Sequence, residues 1–437
     1  MEKITICWLR RDLRLKDQTA LHHALAHGNP VLCLFIFDRY ILDKLPYRDD
    51  SRVEFLHNTL LDIKTELKGS GSDLLVMHDT PLGAWKRILE YYAVDSVFVN
   101  RDYEPYAVNR DYEVELFLQQ NGIRMFSFKD QVVFEKNDIL KADGKPYTVY
   151  TPYSKKWLEN QKEEDLTSKD CDSLKDKCLK INGLDFPSLT SLGFIPGRHK
   201  IPERKISLNI IRTYESTRNF PSRNEGTSRL GIHLRFGTLS IRKLVKEIRQ
   251  LNETYLKELI WREFFMQILW HFPHSATQSF RKEYDGIEWI NDPVHFERWQ
   301  KGMTGYPIVD AGMRELYATG HMHNRVRMVT ASFLCKHLLS DWRLGEQHFA
   351  SLLLDYDSSA NIGNWQWAAG SGCDAAPYFR VFNPETQAEK FDNRNEYIRR
   401  WVPEFDTYRY PKPIIEHKFG RERAIRSYKE GLERIRQ

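Results

Sequence analysis

Five short apolar runs punctuate the first 130 residues, at Ile4–Leu9, Val31–Phe37, Leu74–Met77, Val97–Val99 and Met125–Phe128. Longer amphipathic stretches, such as Ser51–Leu67 and Val108–Gln120, separate them. An apolar run without polar alternation is a strand buried on both faces. Strands of that kind, alternating with helices, wind into a parallel sheet covered on each side. Residues 1–131 therefore read as an α/β domain built on a doubly wound parallel sheet. No Gly-x-Gly-x-x-Gly follows the first run, where Trp8-Leu-Arg-Arg-Asp-Leu-Arg-Leu-Lys-Asp17 stands instead, so a dinucleotide site of the Rossmann kind is not expected there.

The pattern then changes. Residues 132–205 are rich in Lys, Glu, Asp and Ser, with Pro187, Pro196 and Pro202 near the end, and read as an interdomain linker. Tyr147–Tyr153, inside it, is expected to pack on a domain. From 206 to 437 helical periods dominate, as in Leu239–Leu251, Tyr255–Trp270, Ala311–Tyr317 and Arg325–Leu339. Gly302, Gly305, Pro307 and Gly363 punctuate them, so the second domain is expected to be all-α.

A chain of 437 residues suffices for two cores, and its net charge of +5 permits a local basic face without proving nucleic-acid binding. The six cysteines have no metal-ligand spacing, no secretory leader opens the chain, and no run reaches the ~18 apolar residues of a membrane span. The expectation is a cytoplasmic protein with reduced thiols, no metal and no membrane association.

Four segments carry residues that a core does not need. Gly226-Thr227-Ser228-Arg229-Leu230-Gly231 precedes a helical pattern, where small hydroxyl residues suit either a plain cap or a phosphate; Tyr214 and Arg218 lie upstream. Glu258, Trp261, Arg262 and Phe265 fall on one helix face, which suits either a half-exposed ion pair or a cavity wall. Asn324, Arg327 and Met328 share another face, with Arg325 turned away from it and free to meet a phosphate. Asn361 and Trp365 are spaced i, i+4, and Trp367 lies roughly 200° round from Trp365, so the two rings are expected in different cavities. No His or Cys cluster joins Asp355 and Asp357, which argues against a metal. The last segment runs into Gly363–Pro384, where aromatic and small residues crowd together as they do around flat ring systems.

Taken in order, these blocks and the N-terminal Trp8-Leu-Arg-Arg-Asp-Leu-Arg closely resemble the DNA photolyase/cryptochrome family, most of all the class I enzymes that repair cyclobutane pyrimidine dimers. The resemblance implies light-driven DNA repair, in which reduced FAD passes an electron to a flipped-out dimer and splits it. It implies a folded FAD held in the helical domain by Tyr214, Thr227, Ser228, Arg229, Leu230, Gly231, Tyr255, Glu258, Arg262, Asn324, Arg327, Asp355, Asp357 and Asn361. Asn361 would face the flavin N5, and Arg327 would pair with Asp355. A lesion pocket of Glu258, Trp261, Asn324, Met328 and Trp367 is implied, with the ring faces of Trp261 and Trp367 as its apolar wall. Trp365, Trp342 and Trp289 would carry electrons to excited flavin. Arg218, Arg325 and Arg380 would grip the phosphates of double-stranded DNA containing pyrimidine dimers, and the protein is expected to be a monomer.

The resemblance also extends to two other members of the family. A cryptochrome-type blue-light photoreceptor would be expected to carry Tyr where Trp367 stands, and a (6-4) photolyase a His where Met328 stands. His323 lies about 140° round a helix from Met328 and is poorly placed to substitute. The N-terminal domain would host an antenna chromophore, with Glu104 resembling a folate-contacting acid. Ala276 and Thr277 stand where folate-binding relatives carry Cys-Lys, leaving folate, a deazaflavin, another flavin or no second chromophore open.

Overall fold

The structure is a computed structural model and describes residues 2–436. Five strands, β1 (Lys3–Leu9), β2 (Val31–Asp38), β3 (Leu74–Asp79), β4 (Ala93–Asn100) and β5 (Arg124–Phe128), form one sheet of order β3-β2-β1-β4-β5, and every pairing is parallel. Helices Thr19–Ala26, Ser51–Gly69, Pro81–Tyr91 and Pro105–Gln120 make the crossovers. Along β1 and β2 the side chains alternate between two cores. Cys7, Leu9, Cys33 and Phe35 pack with Leu21 and Leu60 on one face. Ile6, Trp8, Leu32 and Leu34 pack with Trp85 and Leu118 on the other. The central strands β1 and β2 bury both rows, which is why they are almost wholly apolar, whereas the edge strand β5 has no fully buried residue.

The chain divides into two compact units, neither continuous in sequence. The sheet unit comprises Met1–Glu135, Asn160–Ile206 and Leu230–Glu247; the helical unit comprises Lys136–Glu159, Ser207–Arg229 and Ile248–Gln437. The stretch expected as a linker is thus shared out. Its later half lies on the sheet: Leu179 N donates to Val31 O at 2.8 Å, Leu184 N to Asp73 Oδ2 at 3.0 Å, and Cys171, Leu192 and Phe194 enter the core. These apolar residues are spaced among many charged ones, so average composition hides them. The earlier half packs in the helical unit, where Trp157 Nε1 donates to Glu263 at 2.6 Å and Tyr147 O accepts from Gln267 at 3.2 Å.

Leu230–Glu247, expected in the helical domain, belongs to the sheet unit for an electrostatic reason. Arg242 pairs with Asp17 at 2.8 Å and Asp130 at 2.9 Å, and Asp130 also takes Arg14 at 2.6 Å. Asp130 further accepts from the backbone N and hydroxyl of Thr19.

The helical unit includes Tyr150–Asn160, Leu208–Thr217, Glu253–His271, Pro307–Thr319, Asn324–Ser332, Trp342–Leu352, Ser358–Ala369 and His417–Arg436. The expected single helix from Arg325 to Leu339 ends at Ser332 and passes into a π turn, Phe333–His337. That turn buries Lys336, whose Nζ donates to Ala369 O at 2.7 Å. No helix among the described residues is long and apolar enough to cross a membrane.

Burial alone would lift the carboxyl of Asp130, but Arg14 and Arg242 outweigh it and hold it below its ordinary range. Its contribution to stability is therefore full above the unfolded carboxylate range and is lost as pH falls through the lowered native value. Asp130→Ala takes the carboxylate from buried Arg14 and one of two from Arg242, and is expected to cost about 3 kcal/mol in urea unfolding at neutral pH, with the deficit shrinking in acid.

Candidate functional site

Asn252 opens helix Glu253–His271 by accepting from Tyr255 N at 2.9 Å. The helix then presents Glu258, Trp261 and Arg262 within one turn. Trp261 is a fixed ring. Tyr150 stacks on it at 3.6 Å and 7°, and Phe265 lies against it at 5.4 Å and 29°. Tyr150 is itself tied down, its hydroxyl to Lys257 O at 2.8 Å and its N–H to Asp374 at 3.1 Å. Tyr150 thus covers one face of the Trp261 ring, and Phe265 also lies against the indole, which stays partly exposed.

Glu258 is ion-paired with Arg218, the residue that ends helix Leu208–Thr217. Sequence reasoning gave that arginine to DNA alone; in the structure its guanidinium lies at the acid. Burial raises the Glu258 carboxyl, and Arg218 pulls it back only in part, so the net direction is upward. Arg325 is not free either. It donates to Asn219 at 2.7 Å and rests over Phe391 at 4.4 Å. Arg380 is exposed on a turn.

The second face behaves as its spacing implies. On helix Asn324–Ser332, Arg327 donates to both oxygens of Asp355, at 3.1 and 3.0 Å, and its Nε to Met322 O at 2.7 Å. Burial would raise Asp355, but Arg327 and His321 hold it low and ionised. This pair edges a slot that Asn324, Met328 and Asn361 also line. Ala331, Ala360 and Ala368 leave room in it, and Phe349, Trp365 and Trp367 wall it. Trp365 and Trp367 thus border the same cavity rather than two. Both indoles reach well past the Cα cylinder, whose radius is only about 2.3 Å, so their separation round the backbone does not keep them in different cavities.

Asn361 carries orientation as well as position. Its Nδ2 donates to Glu346 Oε1 at 2.9 Å and to Glu346 O at 3.2 Å, leaving the amide oxygen for the slot. Glu346, raised by burial, also accepts from Tyr356 OH at 3.4 Å. Sequence reasoning missed this residue; the available signal was an acid beside Gly345 in an otherwise apolar period. Asp357 caps helix Ser358–Ala369 by accepting from Ala360 N at 3.2 Å, in addition to lining the slot.

The phosphate-suited segment takes another form than expected. Thr227 and Ser228 lie in irregular chain, not at a helix start, and Arg229 has a φ of 53°. Ser228 Oγ is hydrogen-bonded to Tyr255 OH at 2.8 Å, and Tyr214 meets Tyr255 edge-on at 5.0 Å. Leu230 and Gly231 fall in the sheet unit, at the opening of a five-residue helix without a side-chain cap. Three small or hydroxyl residues satisfy a turn as readily as a cap, so spacing alone did not separate them.

The three tryptophans assigned to electron transfer have distinct surroundings. Trp365 is buried against Phe349 at 4.9 Å and Trp299 at 6.1 Å. Trp342 is buried at the start of its helix under Arg343 at 4.8 Å, and Trp289 meets Tyr428 edge-on at 5.8 Å. In the sheet unit Glu104 is held by Arg11 at 3.0 Å and Arg235 at 2.9 Å.

A Cβ built on Gly345 would lie 2.1 Å from the Trp365 ring. Gly345→Ala is expected to cost about 1–3 kcal/mol by overpacking and to alter tryptophan emission, measured by unfolding and fluorescence.

The slot suits a flat heteroaromatic group with a polar edge. Alanines admit the plane, rings wall it, and an ion pair with an oriented amide meets its heteroatoms. The isoalloxazine of FAD is such a group. Comparison with known proteins agrees: residues 255–409 match the FAD binding domain of DNA photolyase, and residues 5–170 match DNA photolyase. A deoxyribodipyrimidine photo-lyase of Alkalihalophilus pseudofirmus is 34% identical, with 98% of each chain covered. A crystal structure of a bacterial class III photolyase from Agrobacterium tumefaciens superimposes with a TM-score of 0.86 at 32% identity, covering 99% of this chain and 98% of that one. An archaeal photolyase from Sulfolobus tokodaii, solved with two FAD molecules, gives 0.80 at 32%, covering 98% and 99%. The class I likeness of the motifs and the class III structural relative meet at the family rather than at the class. From its sheet to its flavin slot, the chain belongs to the DNA photolyase family and binds FAD.

Proposed function

We propose that the protein uses light to split cyclobutane pyrimidine dimers in double-stranded DNA. The observation that carries the reading is a half-buried acid, Glu258, one turn from a fixed indole, Trp261, on one helix, while Met328 and Trp367 border the slot. A bound, reduced flavin supplies light absorption and the electron. The chain supplies placement. Arg218, Arg325 and Arg380 offer cations for backbone phosphates, which gives salt-sensitive affinity without sequence preference. Trp261 and Trp367 shape an apolar pocket for two pyrimidines out of the stack, and a lesion already poorly stacked lowers the few-kcal/mol extrusion cost. Glu258 provides a hydrogen-bonding acid, and Met328 an adaptable apolar contact without a proton.

The same geometry supports the dimer over the (6-4) product. That chemistry calls for a proton donor such as an imidazolium. His323 is nearest in sequence to the pocket residues, but it caps helix Asn324–Ser332, its Nδ1 accepting from Arg325 N at 3.1 Å. Burial holds it down to about 4, so it stays neutral near pH 7. We expect a monomer. A second chromophore in the sheet unit is also part of the proposal, with the Sulfolobus relative's second FAD as its support. Glu104, already paired to Arg11 and Arg235, has little acceptor capacity left for such a ligand.

Illumination of reduced protein with oligonucleotides carrying each lesion is expected to restore the dimer strand and leave the (6-4) strand unchanged; the reverse outcome overturns the assignment. Trp365→Phe is expected to slow photoreduction by an external donor at least tenfold while sparing repair once the flavin is chemically reduced, about 1.4 kcal/mol or more on the reduction step alone. Unchanged photoreduction would remove Trp365 from the electron route.

A further inference from the structure

The Arg218–Glu258 pair has a physical peculiarity. It ties one of a group of neighbouring cations to the acid that the proposed chemistry needs. Arg218 retains about a quarter of its side-chain exposure, at 24%, and sits 5.4 Å from the Tyr214 ring. Arg325 is close enough for the charges of Arg218 and Arg380 to bear on it, after burial itself, and all three depress its proton affinity. Arg325 turns to the neutral Asn219, and Arg380 lies 5.7 Å from the Phe382 ring. Mutual repulsion among the three cations favours capture of a further anion, and a phosphodiester matches a guanidinium fork at least as well as a carboxylate does.

We propose that Arg218 is a DNA-operated latch on Glu258: a backbone phosphate draws the guanidinium away, and the released carboxyl takes a proton from solvent and meets the lesion as a neutral hydrogen-bond donor. The inference rests on the reading of this pocket as a dimer site.

The surroundings of Glu258 support the protonation. Tyr150 faces it from helix Tyr150–Asn160, Tyr214 and Arg218 from Leu208–Thr217 and its cap, and Tyr255 from its own helix. Three of these four are phenols held neutral by burial, two with their hydroxyls engaged, by Lys257 O and by Ser228. Lys257, next in sequence, is turned to Glu253 at 2.6 Å. Arg218 is the cation ion-paired with the carboxylate, and Arg262 shares the Glu258 face one turn further along the helix. Glu258 is raised by burial even with Arg218 in place, and loss of that partner can only raise it further. An ionised carboxylate could only accept hydrogen bonds and would repel negative charge on the dimer; the acid can donate to a pyrimidine carbonyl. The proton passes from water or buffer to a Glu258 oxygen on binding and returns on release, with no electron involved.

Arg218 is thus a positioning residue, and its signature is proton linkage rather than rate. Calorimetric titration with a dimer-containing duplex, in buffers of different ionisation heat across the neutral range, is expected to show uptake of up to about one proton per complex. Glu258→Gln should abolish the uptake. Arg218→Gln should reduce it, because the carboxyl has lost its cation before DNA arrives and already holds its proton more tightly, and Arg218→Lys, which keeps a charge, should retain it. Dimer preference without uptake, or uptake unchanged in Glu258→Gln or Arg218→Gln, would overturn the latch. Failure to prefer the dimer duplex at all would overturn the dimer-site reading and the latch with it.

Discussion

Two helices that meet without a Cβ between them fix the geometry of the site. Helix Ser358–Ala369 lies on helix Glu253–His271 where Gly363 faces Phe265, and a Cβ on that glycine would fall 2.2 Å from the ring. Phe265 in turn lies against Trp261, and Asn361, Trp365 and Trp367 are carried by the Gly363 helix itself. One close approach therefore sets the distance between the acid-and-indole face and the slot. Lys336, reached through the π turn, fixes the far end of the same helix through Ala369 O. Close packing transmits any shift at Gly363 to both faces, because a packed interior has little room to absorb it.

Electrostatics then divides the charged residues by task. Asp130 with its two arginines, and Asp355 with Arg327, are matched pairs in which the partner overcomes burial and the carboxylate stays ionised. Glu258 and Glu346 are the opposite case, since burial wins and both carboxyls are raised. Glu346 uses its position to orient the Asn361 amide, whereas Glu258 stands by the cations near the proposed DNA face. Groups whose environments push protonation in opposite directions are the usual basis for separate roles at one site.

The sheet was legible because a strand buried on both sides leaves no polar gap: Ile4–Leu9 and Val31–Phe37 could be nothing else at their length. The faces Glu258/Trp261/Arg262 and Asn324/Arg327/Met328 were legible because helical spacing dictates which side chains share a side. The flavin itself came from resemblance, since no spacing names a cofactor. What composition hid was long-range. Cys171, Leu192 and Phe194 dock a charged stretch onto the sheet, and Arg242 carries Leu230–Glu247 there through ion pairs more than a hundred residues distant in sequence. Arg218 with Glu258, Glu346 with Asn361 and the Tyr150–Trp261 stack are likewise tertiary partners, and local pattern carries no trace of them.

The central claim is that the slot and the lesion pocket lie within electron-transfer contact once a dimer is bound. Time-resolved emission of the reduced flavin tests it most directly, with the protein bound to dimer-containing DNA or to undamaged DNA of the same sequence. The account predicts a lifetime shortened severalfold by the dimer and unaltered by undamaged DNA. Equal lifetimes in the two complexes, with both shown to be bound, would contradict it.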